Sequence, residues 1–261
     1  MSGNISQIKS LINLKNLAIY ATYMTGSIPD TILELRNLIR LELFLLPYFS
    51  CKVPDFNVLR NLESLYIGGF LGPNFQNGTV HSCLHFPDID LPYLKTFLVG
   101  FGFWFGHIPN FKLPKVEYFF FGGGFFEGTL DGLIQNFVQS NTLVGFGVMG
   151  LPCIYGEIPP NLSLLTRLES LLISDLPSQE TQTNLKTVLL ETFLGLSSSP
   201  LSNRSRCSRT IYGSMPVETQ SLKRMKYLAI SNTPLNGSIL DLAFNWPNMT
   251  LILLRHDGYN Y

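Results

Sequence analysis

Charge is scarce in this sequence. Of 261 residues only 14% are charged, 18 basic against 18 acidic, so no net field draws nucleic acid or an anionic membrane. Long apolar runs are missing too. The greasiest stretch, Phe97 to Phe126, is broken by Gly, His, Pro, Lys and Glu well short of the ~20 residues a membrane helix needs. No basic start is followed by an apolar run, so no secretory leader is expected within these residues. Cysteine is sparse: Cys51, Cys83, Cys153 and Cys207 contain no close pair. An even count permits disulfides without requiring them, and free, partly buried thiols are the expectation.

Chemical motifs are also lacking. No serine, histidine and acid stand in a nucleophile context, so no enzyme activity and no cofactor are expected. Gly122-Gly123-Gly124 opens no helix and precedes no lysine, which makes it a turn rather than a phosphate cradle. His81, Cys83 and His85, followed by Asp88 and Asp90, are metal-capable, but their spacing fits no paired zinc motif. A polar loop is the expectation there. Arg204, Arg206 and Arg209 lack interleaved aromatics and read as a solvated loop, not a nucleic-acid surface.

What is present is apolar, 46% of the chain, and it is ordered. Leu11, Leu14, Leu17 and Ile19 are spaced three, three and two, then come Met24 and Ile28. The frame returns at Leu35, Leu38, Leu41, Leu43 and at Leu59, Leu62, Leu65, Ile67. Aligned on the third apolar position, the anchors are Leu17, Leu41, Leu65, Phe97, Phe119, Phe146, Leu171, Val188, Leu228 and Ile252. A second inward residue follows each anchor two places on. This is one brief strand per coil, with strands of neighbouring coils paired in parallel. The modal step is 24 residues, while 17 and 40 flank Val188. A fixed period of this length signals a solenoid.

After the strand comes a second marker: Gly26-Ser-Ile-Pro29, Gly106-His-Ile-Pro109, Gly156-Glu-Ile-Pro159 and Gly213-Ser-Met-Pro216, with weaker forms at Gly128 and Gly237. Glycine allows a tight turn, the aliphatic residue re-enters the core, and proline stops the sheet. In these units the chain resembles the plant-type leucine-rich repeat over nearly its whole length. The resemblance implies a leucine-rich-repeat horseshoe with a parallel β-sheet on the concave face and irregular or 3-10 segments on the convex face. One solenoid of about ten coils is expected over residues 1–261, with insertions near 70–90 and 194–210. Both ends read as uncapped, as in an interior or truncated piece of a longer protein. The family's asparagine ladder is largely missing, its positions holding Thr22, Gly102, Gly124 and Thr233. A threonine hydroxyl can replace part of that bonding and glycine cannot.

Function is expected on the concave face, where outward residues form three columns. Tyr66, Leu98, Tyr118 and Phe120 are expected as one exposed aromatic patch beside a side-chain-free strip of Gly68, Gly100 and Gly122. Arg40, Glu42 and Phe44 on the second strand complete the partner-binding set. Because Leu98 points outward, its truncation is expected to cost far less than that of Leu171. The partner is a protein or peptide, with no nucleic acid and no membrane span in the segment. A structural spacer within a larger surface protein is the alternative. Six Asn-x-Ser/Thr signals, at Asn4, Asn77, Asn161, Asn203, Asn236 and Asn248, exceed the about three that composition predicts. They point to a glycoprotein, extracellular or at the cell surface.

Overall fold

The three-three-two frames become strands because each sets two apolar side chains, two residues apart, on one side of an extended segment. The computed structural model describes residues 5–21, 28–45, 53–69, 86–100, 104–151, 153–174, 211–231 and 233–255. Its main sheet is parallel and has nine strands lying side by side in chain order. They are Asn16–Ala21, Arg40–Leu45, Ser64–Gly69, Thr96–Gly100, Tyr118–Gly122, Gly145–Met149, Ser170–Ser174, Tyr227–Ser231 and Leu251–Arg255. The anchors meet in register, from Leu17 opposite Leu41 through to Leu228 opposite Ile252. Coils that contact only their neighbours stack in this way. Leu171 stands directly opposite Leu228, and among the described residues the main sheet has nine strands, beside the about ten coils expected. Val188, the expected anchor between them, lies outside the described residues.

Two turns after strands bond to the next coil through backbone, while Thr22 and Gly102 of the expected ladder positions lie outside the described residues. Gly123 and Gly150 have φ of 69° and 60°, and their amides donate to the carbonyls of Met149 and Ser174 in the next coil, at 2.9 and 2.8 Å. Glycine enters that left-handed region without a steric cost. Gly122 beside them has no room for a side chain, since a Cβ would collide with the Met149 carbonyl oxygen. Thr233, expected to stand in for the ladder, is buried with its hydroxyl unpartnered among the described residues. Asparagines do bridge coils, but ahead of the strands. The amides of Asn37, Asn61 and Asn248 donate to the carbonyls of Ile12, Arg36 and Lys223 at 2.8, 3.1 and 2.7 Å.

The flank expected to be irregular carries a second parallel sheet. Trp104–His107, Gly124–Thr129, Ile154–Glu157, Ile211–Ser214 and Leu235–Asn236 pair in chain order. Proline does not prevent this because Pro109, Pro159 and Pro216 fall just beyond the strand ends. The marker glycines Gly106, Gly156, Gly213 and Gly237 all have positive φ, from 83° to 123°. Equivalent residues do not face each other here. Gly106 pairs with Phe126, Gly156 with Ile211 and Gly213 with Leu235, each two residues before the next marker glycine. The second sheet is therefore sheared relative to the first.

Short helical turns close the coils on the convex side. The 3-10 turns Asp30–Glu34, Pro160–Leu164 and Val217–Ser221 each begin where a proline carbonyl (Pro29, Pro159, Pro216) accepts an amide three residues on, at 3.0–3.1 Å. Helix α1, Leu130–Gln135, is capped by the Thr129 hydroxyl, and α2, Ile239–Ala243, by that of Ser238. Between the faces runs one apolar core. Its centre is phenylalanine: Phe97, Phe119 and Phe146 stack through three coils with centroids 5.1 and 5.8 Å apart. Phe111 meets Phe97 and Phe119 edge-on, and Phe137 meets Phe146 edge-on and Phe119 at a tilt of 50°.

Candidate concave-face interaction site

The outward side chains of the first three strands hold one another in place. The Glu42 carboxylate, only 3% exposed, accepts hydrogen bonds from the Tyr20 hydroxyl one coil earlier and from Arg40 Nε on its own strand. A buried carboxylate is tolerated when it is paired in this way. The Arg40 guanidinium lies over the Tyr66 ring of the third strand, 5.1 Å from its centroid. Tyr20 stacks on Phe44 at 5.1 Å with planes 5° apart. Phe44 in turn covers Gly68, where an added Cβ would lie 2.9 Å from its ring. The hydrogen bond to Glu42, helped by burial and by the carboxylate charge, pushes the Tyr20 phenol from 10.0 up to about 12. Tyr20 is otherwise 64% exposed, and Arg40 keeps its terminal nitrogens unpartnered among the described residues.

The expected exposed patch is not there. Leu98 and Phe120 are 2% and 7% exposed, although the register that points them outward is intact. They pack with Leu172 and Ala229 into a second apolar cluster, separate from the core and flanked by Tyr66, Tyr118 and Leu253. At two glycines of the expected strip the space is taken: Phe44 covers Gly68, and the Met149 carbonyl stands where a side chain on Gly122 would be. In the adjoining column the Phe120 ring lies where a side chain on Gly147 would be. Aromatic rings lean across the glycine of the next coil because that glycine leaves the space open. Of the predicted partner-binding residues, Arg40 is exposed and Tyr66 and Tyr118 are half-exposed, while Glu42, Phe44, Leu98 and Phe120 are buried. Burial raises the Tyr118 phenol above its ordinary range. Sequence reasoning left Tyr20 out of the contact set. Its signal was an aromatic beside Phe44 in one column.

Other sequence candidates have ordinary roles or lie elsewhere. Asp88 accepts from the Asn110 backbone and side-chain amides at 2.9 and 3.1 Å, and the Asp90 amide donates to Asn57 at 2.7 Å, so both serve coil-to-coil bonding. His81, Cys83, His85, the three arginines and the signals at Asn4, Asn77 and Asn203 lie outside the described residues. Cys153 is disulfide-bonded, which corrects the expectation of a free thiol; its partner lies outside the described residues. Among the described residues no three His, Cys, Asp or Glu side chains converge to hold a metal, and no helix is long and apolar enough to cross a membrane.

No family model and no curated protein matches the chain. Among solved structures it is similar to a TDR receptor, at 20% identity and a TM-score of 0.60, over 96% of this chain and 36% of that one. It is also similar to the leucine-rich-repeat ectodomain of the Arabidopsis receptor kinase HAESA, solved with an N-terminally extended IDA peptide hormone ligand. There the identity is 20% and the TM-score 0.52, over 96% of this chain and 40% of that one. The chain thus spans well under half the length of either. With the nine-stranded parallel sheet, this likeness shows the fold: a leucine-rich-repeat solenoid.

Proposed function

We propose that the chain is a non-enzymatic interaction module that binds a protein or peptide on its concave face, outside the cell or at its surface. The observation that carries this reading is the locked constellation of Tyr20, Arg40, Glu42 and Tyr66 across three strands. A contact surface gains affinity when its side chains are held before the partner arrives, because less rotamer entropy is lost on binding. Tyrosine and arginine are the residue types that most often carry interface energy, and here the buried Glu42 orients both. The Arg40 fork suits a planar anionic group, and the rings of Tyr20 and Tyr66 suit apolar side chains next to it. The HAESA ectodomain structure contains a peptide hormone, which agrees with a peptide-sized ligand here. The disulfide at Cys153 agrees with an oxidising, extracellular setting.

One observation favours the alternative of a structural spacer. The middle of the concave face is closed by its own apolar cluster of Leu98, Phe120, Leu172 and Ala229. Titrating single variants against a partner purified from the native source separates the readings. Arg40→Ala and Tyr66→Ala are each expected to weaken binding by about 10- to 30-fold, with circular dichroism unchanged. A spacer tolerates both substitutions without loss, and that result would overturn the proposal.

A further inference from the structure

We propose that Asn236 carries an N-linked glycan, and that Asn161, which has the same sequence signal, is a structural asparagine that carries none. This rests on the reading of the chain as a secreted or surface module. Three of the six signals lie among the described residues, and their surroundings separate them. Asn161 is half-buried in the turn Pro160–Leu164. Its amide donates to Asp131 Oδ1 at 2.9 Å and to Gln135 Oε1 at 3.0 Å, tying this turn to α1 of the preceding coil. Its carbonyl oxygen is buried without a partner among the described residues. A sugar on that nitrogen replaces one of the two hydrogens, so the glycan and the two-bond bridge exclude each other. Asn248 is an intermediate case: it is exposed, but commits one hydrogen to the Lys223 carbonyl at 2.7 Å.

Asn236 has neither constraint. It is exposed, and its amide has no partner among the described residues. It ends the edge strand Leu235–Asn236 of the second sheet, and Gly237, at φ 83°, turns the chain away behind it. The amide nitrogen attacks the anomeric carbon of a lipid-pyrophosphate-linked oligosaccharide. A C–N bond forms as the C–O bond to pyrophosphate breaks; the lipid pyrophosphate leaves with the electron pair, and the nitrogen gives up one proton. The product places a bulky polar group at the end of the strand Leu235–Asn236, the last described strand of the second sheet. It also keeps the sugar off the concave sheet that holds Arg40 and Tyr66.

The test is to express the full chain behind a heterologous secretion signal in eukaryotic cells. Glycans are removed with an amidase in heavy-oxygen water and the labelled asparagines are mapped by mass spectrometry. Label is expected at Asn236 and absent at Asn161. Asn236→Gln is expected to remove one glycan from the secreted protein without changing its melting temperature after deglycosylation. Asn161→Ala is expected to leave the glycan pattern unchanged and to lower the melting temperature by about 2–4 °C. A folded, secreted chain bare at Asn236, or labelled at Asn161, overturns the inference. Because the secretion signal is supplied, these outcomes do not depend on the native location or on the partner. A bare Asn236 therefore leaves the binding proposal standing, and unchanged affinity for Arg40→Ala leaves the glycan standing.

Discussion

Gly122 is a residue whose side chain the fold cannot accept. Its added Cβ would strike a backbone carbonyl, that of Met149, which cannot rotate aside as a side chain would. Gly122→Ala is therefore expected to destabilise the protein by about 1–3 kcal/mol in a urea titration, although alanine is otherwise the better residue for an ordered chain. Tyr20 gives a second test at this scale, through its titration. Its phenol is raised to about 12 chiefly by the hydrogen bond to Glu42. A group that holds its proton more tightly when folded contributes its stability in full below the unfolded pKa, near 10, and loses it as pH rises through about 12. Glu42→Gln is expected to bring the Tyr20 phenol back towards 10, read by NMR of ring-labelled tyrosine with Tyr20→Phe fixing the assignment. A phenol that stays near 12 in Glu42→Gln would remove the carboxylate from the account.

Among the elements, the concave cluster changes what a strand's two sides mean. In a sheet with one solvated face, outward positions tolerate truncation and inward ones do not. Here Leu98, Phe120 and Leu172 are outward by register and buried in fact. Leu98→Ala should then cost about 2–4 kcal/mol, in the same range as Leu171→Ala on the inward side. Denaturant midpoints of the two variants check this, and a Leu98→Ala protein as stable as the parent would show that the outer cluster packs loosely. The same cluster makes Phe120→Ala a test of folding rather than of binding. Arg40 and Tyr66 are the informative positions for a partner.

For the whole molecule, the core runs as a line from coil to coil and need not melt at once. Stability is a sum over coils and the interfaces between neighbours, so protection varies along the stack. The phenylalanine stack places the best-packed coils at the strands Thr96–Gly100, Tyr118–Gly122 and Gly145–Met149. Leu17 and Ile19 in the first strand, and Ile252 and Leu254 in the ninth, remain partly exposed at positions that are buried elsewhere. Amide exchange followed by mass spectrometry should therefore be slowest in those three central strands and fastest in the first and ninth. Uniform protection across all nine would show that the array unfolds as one unit.

The repeat was legible because it is local and recurrent. An anchor with a partner two residues on, restated roughly every 24 residues, specifies the strand, its inward side and its parallel register, since each coil reads only the coil beside it. The marker glycines were legible for the same kind of reason, because a left-handed turn needs glycine wherever it occurs. Exposure was not legible. Whether Leu98 and Phe120 meet water depends on how rings lean over the glycines of the next coil and on what packs around them, and neither is written in the spacing. The bonding that stands in for the asparagine ladder was not legible for a related reason: a backbone amide at Gly123 or Gly150 can bond across coils, but only if the next coil's carbonyl stands within reach. The second sheet, and the contacts of Glu42 with Tyr20 and of Arg40 with the Tyr66 ring, belong with these. Each joins groups from different coils, and only the stacked structure fixes their distances.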